Sequence, residues 1–275
     1  MKTYLSHISA VFTFLLLIFC AANEVLAQTP GQIDQLVKQL GSKEWQKREQ
    51  AASTLMNLPP ELRSEKVMVA LVKELEKQFF TGGHKYEGEG EMEYSMWLMN
   101  AIASLQDDRA FPLIVKIGAP SAILRYGDKG MLAMIDKLKD MEACGSRREA
   151  FITYLGKAIE KKDKDYVAQG EIAKKIKRVL VEALEVSRHP TIKGERSEGI
   201  ARECAGVRGR AVKALGVLAD SGDTEVLPII ESLSKGDPYY WVPKGKPDEE
   251  SNRKYDVREE AQKVIDELKA KGIKK

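Results

Sequence analysis

Residues 207–233, VRGRAVKALGVLADSGDTEVLPIIESL, constrain the fold of this chain more than any other stretch, because they read as a helix, a tight turn and a second helix. On a helix turning about 100° per residue, Arg208, Ala211, Leu215 and Leu218 fall in one narrow stripe. Small Ala211 and Ala214 let a neighbouring backbone come close, and Leu215 and Leu218 supply the apolar area that rewards the contact. The run from Ala219 to Asp223 ends the helix, with Gly222 suited to a C-terminal cap and Asp223 to an N-cap. Val226, Leu227, Ile229, Ile230 and Leu233 form the facing stripe, and Pro228 lies near enough to the first turn to be tolerated.

One such pair cannot bury its stripe alone, so the same spacing is expected elsewhere. Arg258, Ala261, Ile265 and Leu268 repeat it, as do Arg48, Ala51, Leu55 and Leu58. Weaker copies are Ser95, Leu98, Ile102 and Leu105, and Arg148, Phe151, Leu155 and Ala158. The periodicity predicts helix pairs at 31–40 with 44–57, 61–80 with 91–105, 108–117 with 119–126, 129–139 with 146–161, 164–187 with 200–219, and 223–234 with 255–272. Such pairs average about forty residues, the size of a stacked helical repeat. Gly and Pro fall between the helical stretches and no strand-length alternation occurs, so almost no sheet is expected.

On VRGRAVKALGVLADSGDTEVLPIIESL, on DVREEAQKVIDEL at 256–268 and on WQKREQAASTL at 45–55, the chain resembles the HEAT-like repeat family, in particular the short repeats of phycobilisome lyases. The middle of the chain departs from that pattern. The resemblance implies an all-α fold, an α-solenoid of about six stacked helix pairs used for protein contacts, and it implies no chemistry. In that family the arginines at the Arg208 position brace adjacent repeats.

Residues 1–27 read as a secretory signal peptide: Lys2, an apolar run from Val11 to Cys20, and small or apolar Val25, Leu26 and Ala27 before a cut at Gln28. The apolar run is too short to span a membrane. Phe19 ahead of Cys20 argues against a lipoprotein site. The expected product, 28–275, is a periplasmic or secreted protein without a membrane span. It carries +3, because 44 basic residues stand against 41 acidic ones and the lost Lys2 and Glu24 cancel. Near-balanced charge is what helices with one solvated face carry, so no nucleic-acid partner is expected. Cys144 and Cys204 remain in a compartment that permits disulfides, where they either pair with each other or stay as buried or free thiols. Two cysteines supply too few ligands for a zinc site.

Three connections, 81–90, 187–206 and 236–255, are longer than a helix hairpin needs, and each joins the two helices of one pair. In a stacked array those turns emerge along one edge, which makes that edge the expected binding surface; loops also accept insertions at small thermodynamic cost. The first, with Glu87, Glu89 and Glu91 among glycines, has carboxylates that suit a hard cation but lacks the order of an EF-hand, so a solvated acidic loop is the plainer reading and no metal is assigned. From 187 to 210, the second connection and the helix start beyond it, the chain carries Arg188, Arg196, Arg202, Arg208 and Arg210, with Gly206 and Gly209 where backbone N–H groups favour an anion; the plainer reading is that Arg208 braces adjacent repeats. The third sets Tyr239, Tyr240 and Trp241 between prolines, where they either bind a partner or fold back to cap the last pair.

Candidate partner-binding residues are therefore Tyr239, Tyr240, Trp241, Arg188, Arg196, Arg202 and Arg210. His84 and His189 both fall in loops, and no HExxH, GxSxG, phosphate-binding loop or Cys–His pair is present, so neither catalysis nor a cofactor is expected. Two functions fit. One is an exported scaffold docking a protein of the envelope or extracellular space. The other is a module gripping an acidic or sugar-containing polymer through 239–241 and the basic segment 188–210.

Overall fold

The computed structural model describes residues 29–80, 89–142, 144–185 and 197–273. The signal-peptide reading of 1–27, the carboxylate loop at 81–88, and Arg188, His189 and Arg196 lie outside them. The described residues are helical, with no strand and one isolated antiparallel bridge between Trp241 and Lys254. None of their helices is long and apolar enough to cross a membrane. The chain divides into two compact units, Met1–Ile117 and Gly118–Lys275.

In the first unit, α1 (Pro30–Gln39) and α2 (Trp45–Met56) form one pair, α3 (Glu65–Phe80) and α4 (Glu89–Ser104) the next, and α5 (Phe111–Ile117) follows. A capping box starts α1: the Thr29 hydroxyl accepts from the Gln32 amide at 3.4 Å, and the Gln32 side chain accepts from the Thr29 amide at 2.7 Å. The two first helices, α1 and α3, lie side by side, as do the two second helices, α2 and α4. Ala51, Leu55, Leu98 and Ile102 of the repeating stripe are fully buried at that seam. Met99 joins them, whereas Met92 and Met96 face outward on α4.

In the second unit, α6 (Pro120–Leu124) precedes α7 (Gly127–Lys139) and α8 (Ser146–Glu160), then α9 (Lys164–Gln169), α10 (Glu171–Leu184) and α11 (Ser197–Asp220). A 3-10 turn, Thr224–Val226, leads into α12 (Leu227–Gly236), and α13 (Asp256–Ala270) ends the described chain. Again second helices follow one another, α8 on α11 and α11 on α13, and first helices α7 and α10 are neighbours. The helices of the α8–α11–α13 row approach unusually closely. A Cβ on Gly156 would sit 3.1 Å from the Ala214 Cβ, and one on Gly216 would sit 2.5 Å from a Val264 methyl. This is the close approach that the small residues of 207–218 foretold.

The turn after α11 matches the sequence. Gly222 takes φ 112°, and the Asp223 and Gly222 amides donate to Leu218 and Ala219 carbonyls at 2.9 and 3.1 Å, a Schellman cap. Asp223 makes no side-chain cap; its carboxylate meets Lys177 at 2.9 Å instead.

Among the helix boundaries that differ from expectation, two bear on the candidate site. The helix expected over 164–187 is broken at Gly170, whose extended backbone (φ −69°, ψ 128°) separates α9 from α10. Conversely, α11 begins at Ser197, so Gly206 and Gly209 lie within a 24-residue helix and not at its start. Their amides are spent in the helix, which removes the anion site proposed there. Gly206 is used for packing: a Cβ would come 2.9 Å from a Glu149 carboxylate oxygen on α8.

Candidate binding surface

The arginines of the repeating stripe are buried nodes that tie helices together. Arg48, on α2, donates to the Ser42 and Lys43 carbonyls, both at 2.9 Å, in the turn that closes α1. Arg148, on α8, donates to the Leu138 and Met141 carbonyls at 2.9 and 3.2 Å, where α7 ends. Arg208, on α11, reaches the Leu184 carbonyl at the end of α10 with two nitrogens, at 3.1 and 3.0 Å. Arg258, on α13, donates to the Asp237 carbonyl just past α12 at 2.6 Å. In each case a cation on the second helix satisfies carbonyls left over where the first helix closes, and it complements the negative end of that helix.

Two of these arginines also reach forward to the next pair. Arg48 meets the Glu74 carboxylate of α3 at 3.3 Å and stacks 5.5 Å from the Tyr94 ring. Arg208 meets the Asp237 carboxylate through both terminal nitrogens, one at 2.8 Å, and stacks 5.1 Å from the Tyr239 ring. The same three-part node, arginine with a carboxylate and a tyrosine from the following pair, thus occurs once in each unit. All six side chains are buried. Burial raises the Glu74 carboxyl above its ordinary range, against the pull of its hydrogen bond with Gln78 and of Lys77 and Arg48. Burial likewise raises the phenols of Tyr94 and Tyr239. The arginines are legible in the sequence, but their carboxylate and tyrosine partners, which lie 26 to 46 residues further along the chain, are not.

These nodes decide the fate of the aromatic loop. Tyr239, proposed as an exposed contact, is only 7% exposed. It is the tyrosine of the second node, its amide donating to Asp237 at 2.9 Å and its hydroxyl to the Ala201 carbonyl at 3.4 Å. Trp241 is half-buried, with its indole N–H on Asp256 at 2.8 Å and the Arg202 guanidinium 5.2 Å from its ring. Tyr240 stands between Arg253 at 4.3 Å and the Tyr255 ring at 5.7 Å, its hydroxyl donating to Asp248 at 3.1 Å. Through these contacts the loop folds back over the last pairs.

The described basic candidates are similarly engaged. Arg202 covers Trp241, and Arg210 pairs with Glu149 on α8 at 2.9 Å. Cys144 and Cys204 form a disulfide with Cα atoms 4.5 Å apart. The bridge joins the turn after α7 to α11 and packs with Ala205, Tyr239 and Trp241. Arg202 and Arg208, from the described part of the basic segment, therefore meet the aromatic loop at one place in the second unit, through a buried ion pair and two cation–aromatic stacks beside the disulfide. What this place leaves to solvent is the outer part of the loop, residues 244–250.

A separate cleft of about 830 Å³ runs between α7 and α10. Leu132, Ile135, Leu138, Met141 and Val179 line it, with Lys139, Lys175 and Arg178 among its charged residues. No sequence signal marked it, since it depends on how two helices more than thirty residues apart lie together.

In comparisons with family models, characterised proteins and solved structures, this chain matches none.

Proposed function

We propose that this chain is an exported, non-catalytic scaffold of the HEAT-like kind, an α-solenoid that docks a protein of the envelope or extracellular space along the edge carrying its long loops. The observation that carries this reading is the recurrence, once in each unit, of an arginine node that fastens a helix pair within itself and to the pair that follows. A chain built from one repeated joint is what stacked repeats require. The rows of second helices, α2 on α4 and α8 on α11 on α13, support the same reading. The buried charges Arg48, Glu74, Arg148, Arg208 and Asp237 hold helices together, which favours a scaffold over a catalyst. The Cys144–Cys204 bridge favours an oxidising compartment and so supports export.

A photo-crosslinking residue at exposed Lys246 tests the docking edge. The expected result is one discrete crosslinked protein in the envelope fraction, lost when 244–250 are shortened although far-UV circular dichroism is unchanged. The recovered chain should begin at Gln28. Crosslinks no different from those of a probe at Gln262 on α13 would contradict the reading.

A further inference from the structure

We infer that the cleft between α7 and α10 binds a single-chain amphiphilic carboxylate, a site independent of the docking edge. The charge on α10 leads to this. That helix presents four cations, and two are already neutralised: Lys174 by Glu171 at 2.9 Å, and Lys177 by Asp223 at 2.9 Å and Glu225 at 2.8 Å. Lys175 and Arg178 are exposed, lie one turn apart and line the cleft; neither forms an ion pair with a described carboxylate, Lys175 acting on Glu171 only through space. Across from them Lys139 is matched by Asp136 at 2.7 Å, and Arg148 adds a cation at the wall while holding Leu138 and Met141. Four cations against the carboxylates of Asp136 and Glu182 leave the cleft positive.

Beneath that charge the lining is apolar. Leu132 and Met141 are partly accessible, backed by buried Ile135, Leu138 and Val179. The stretch of α10 involved, Lys175 to Glu182, spans about 10 Å, which suits an alkyl chain of roughly eight to ten carbons. The volume falls within the range of small-ligand sites. An anion seated between Lys175 and Arg178 satisfies both, and the planar Arg178 guanidinium fits the two oxygens of a carboxylate. The tail then covers Leu132 and Met141.

The probes are decanoate and decyltrimethylammonium, each below its micelle concentration, titrated calorimetrically into the full mature chain. Decanoate is expected to bind saturably at one site and at least about tenfold more tightly than the cationic amphiphile. The Lys175→Glu/Arg178→Glu variant should lose at least about tenfold in decanoate affinity, and Lys175→Ala/Arg178→Ala should lose less, both with unchanged helical content. Equal affinity for the two amphiphiles, unchanged binding by the charge-reversed variant, or no saturable binding of decanoate would each overturn the site.

Discussion

Replacing Arg208 with Met is expected to lower the stability of the second unit by about 3–5 kcal/mol, the cost of breaking a buried ion pair by removing one partner. Both side chains of the pair are wholly shielded from water. The substitution strands the Asp237 carboxylate and takes two donors from the Leu184 carbonyl. Because an unpaired buried charge is the main cost, the double variant Arg208→Met/Asp237→Asn should be more stable than Arg208→Met alone. Asn at 237 keeps an acceptor for the Tyr239 amide without a charge to bury. Urea unfolding followed by circular dichroism reads both effects. Equal stability of the single and double variants would mean that packing, and not charge, sets the loss.

Reduction of the Cys144–Cys204 bridge is the second large effect. The cystine closes a loop with a sequence separation of 60. Restricting the unfolded chain over a loop of that length contributes roughly 4 kcal/mol in the chain-entropy treatment, and measured values for native bridges run about 2–5 kcal/mol. The bridge also anchors the turn after α7 beside Tyr239 and Trp241, so its loss should loosen the aromatic loop as well. Cys144→Ser/Cys204→Ser, or complete reduction verified by thiol counting, should lower the urea midpoint to match a loss in this range. A midpoint unchanged after verified reduction would show that the helix contacts hold this region without it.

The sequence revealed the helices through local signals, and the nodes stayed hidden because their partners are distant. The stripe at 207–218 and the Gly222 turn were legible because a 3.6-residue period and a glycine cap act within a few residues. The anion site at Gly206 and Gly209 was misplaced for the opposite reason. Two glycines in GVRGR look like a helix boundary, but packing against α8 makes the small residue useful inside a long helix. Tyr239 looked exposed because it sits between prolines in a long connection. Its burial depends on Arg208, 31 positions earlier, and on Ala201, 38 positions earlier. The stripe arginines themselves were the available hint, since an arginine on an apolar stripe must find a carboxylate or carbonyls somewhere.

The stripe arginines are the joints between helices, and a comparison of six variants tests this most directly. Arg48, Arg148, Arg208 and Arg258 are each changed to Met, alongside Arg202 and Arg210 on the outer side of α11, and urea unfolding is measured for all six. The prediction is a loss above about 1.5 kcal/mol at Arg48, Arg148 and Arg208, a smaller loss at the more accessible Arg258, and changes within about 1 kcal/mol at Arg202 and Arg210. Losses that do not separate the buried stripe arginines from the two outer ones would contradict it.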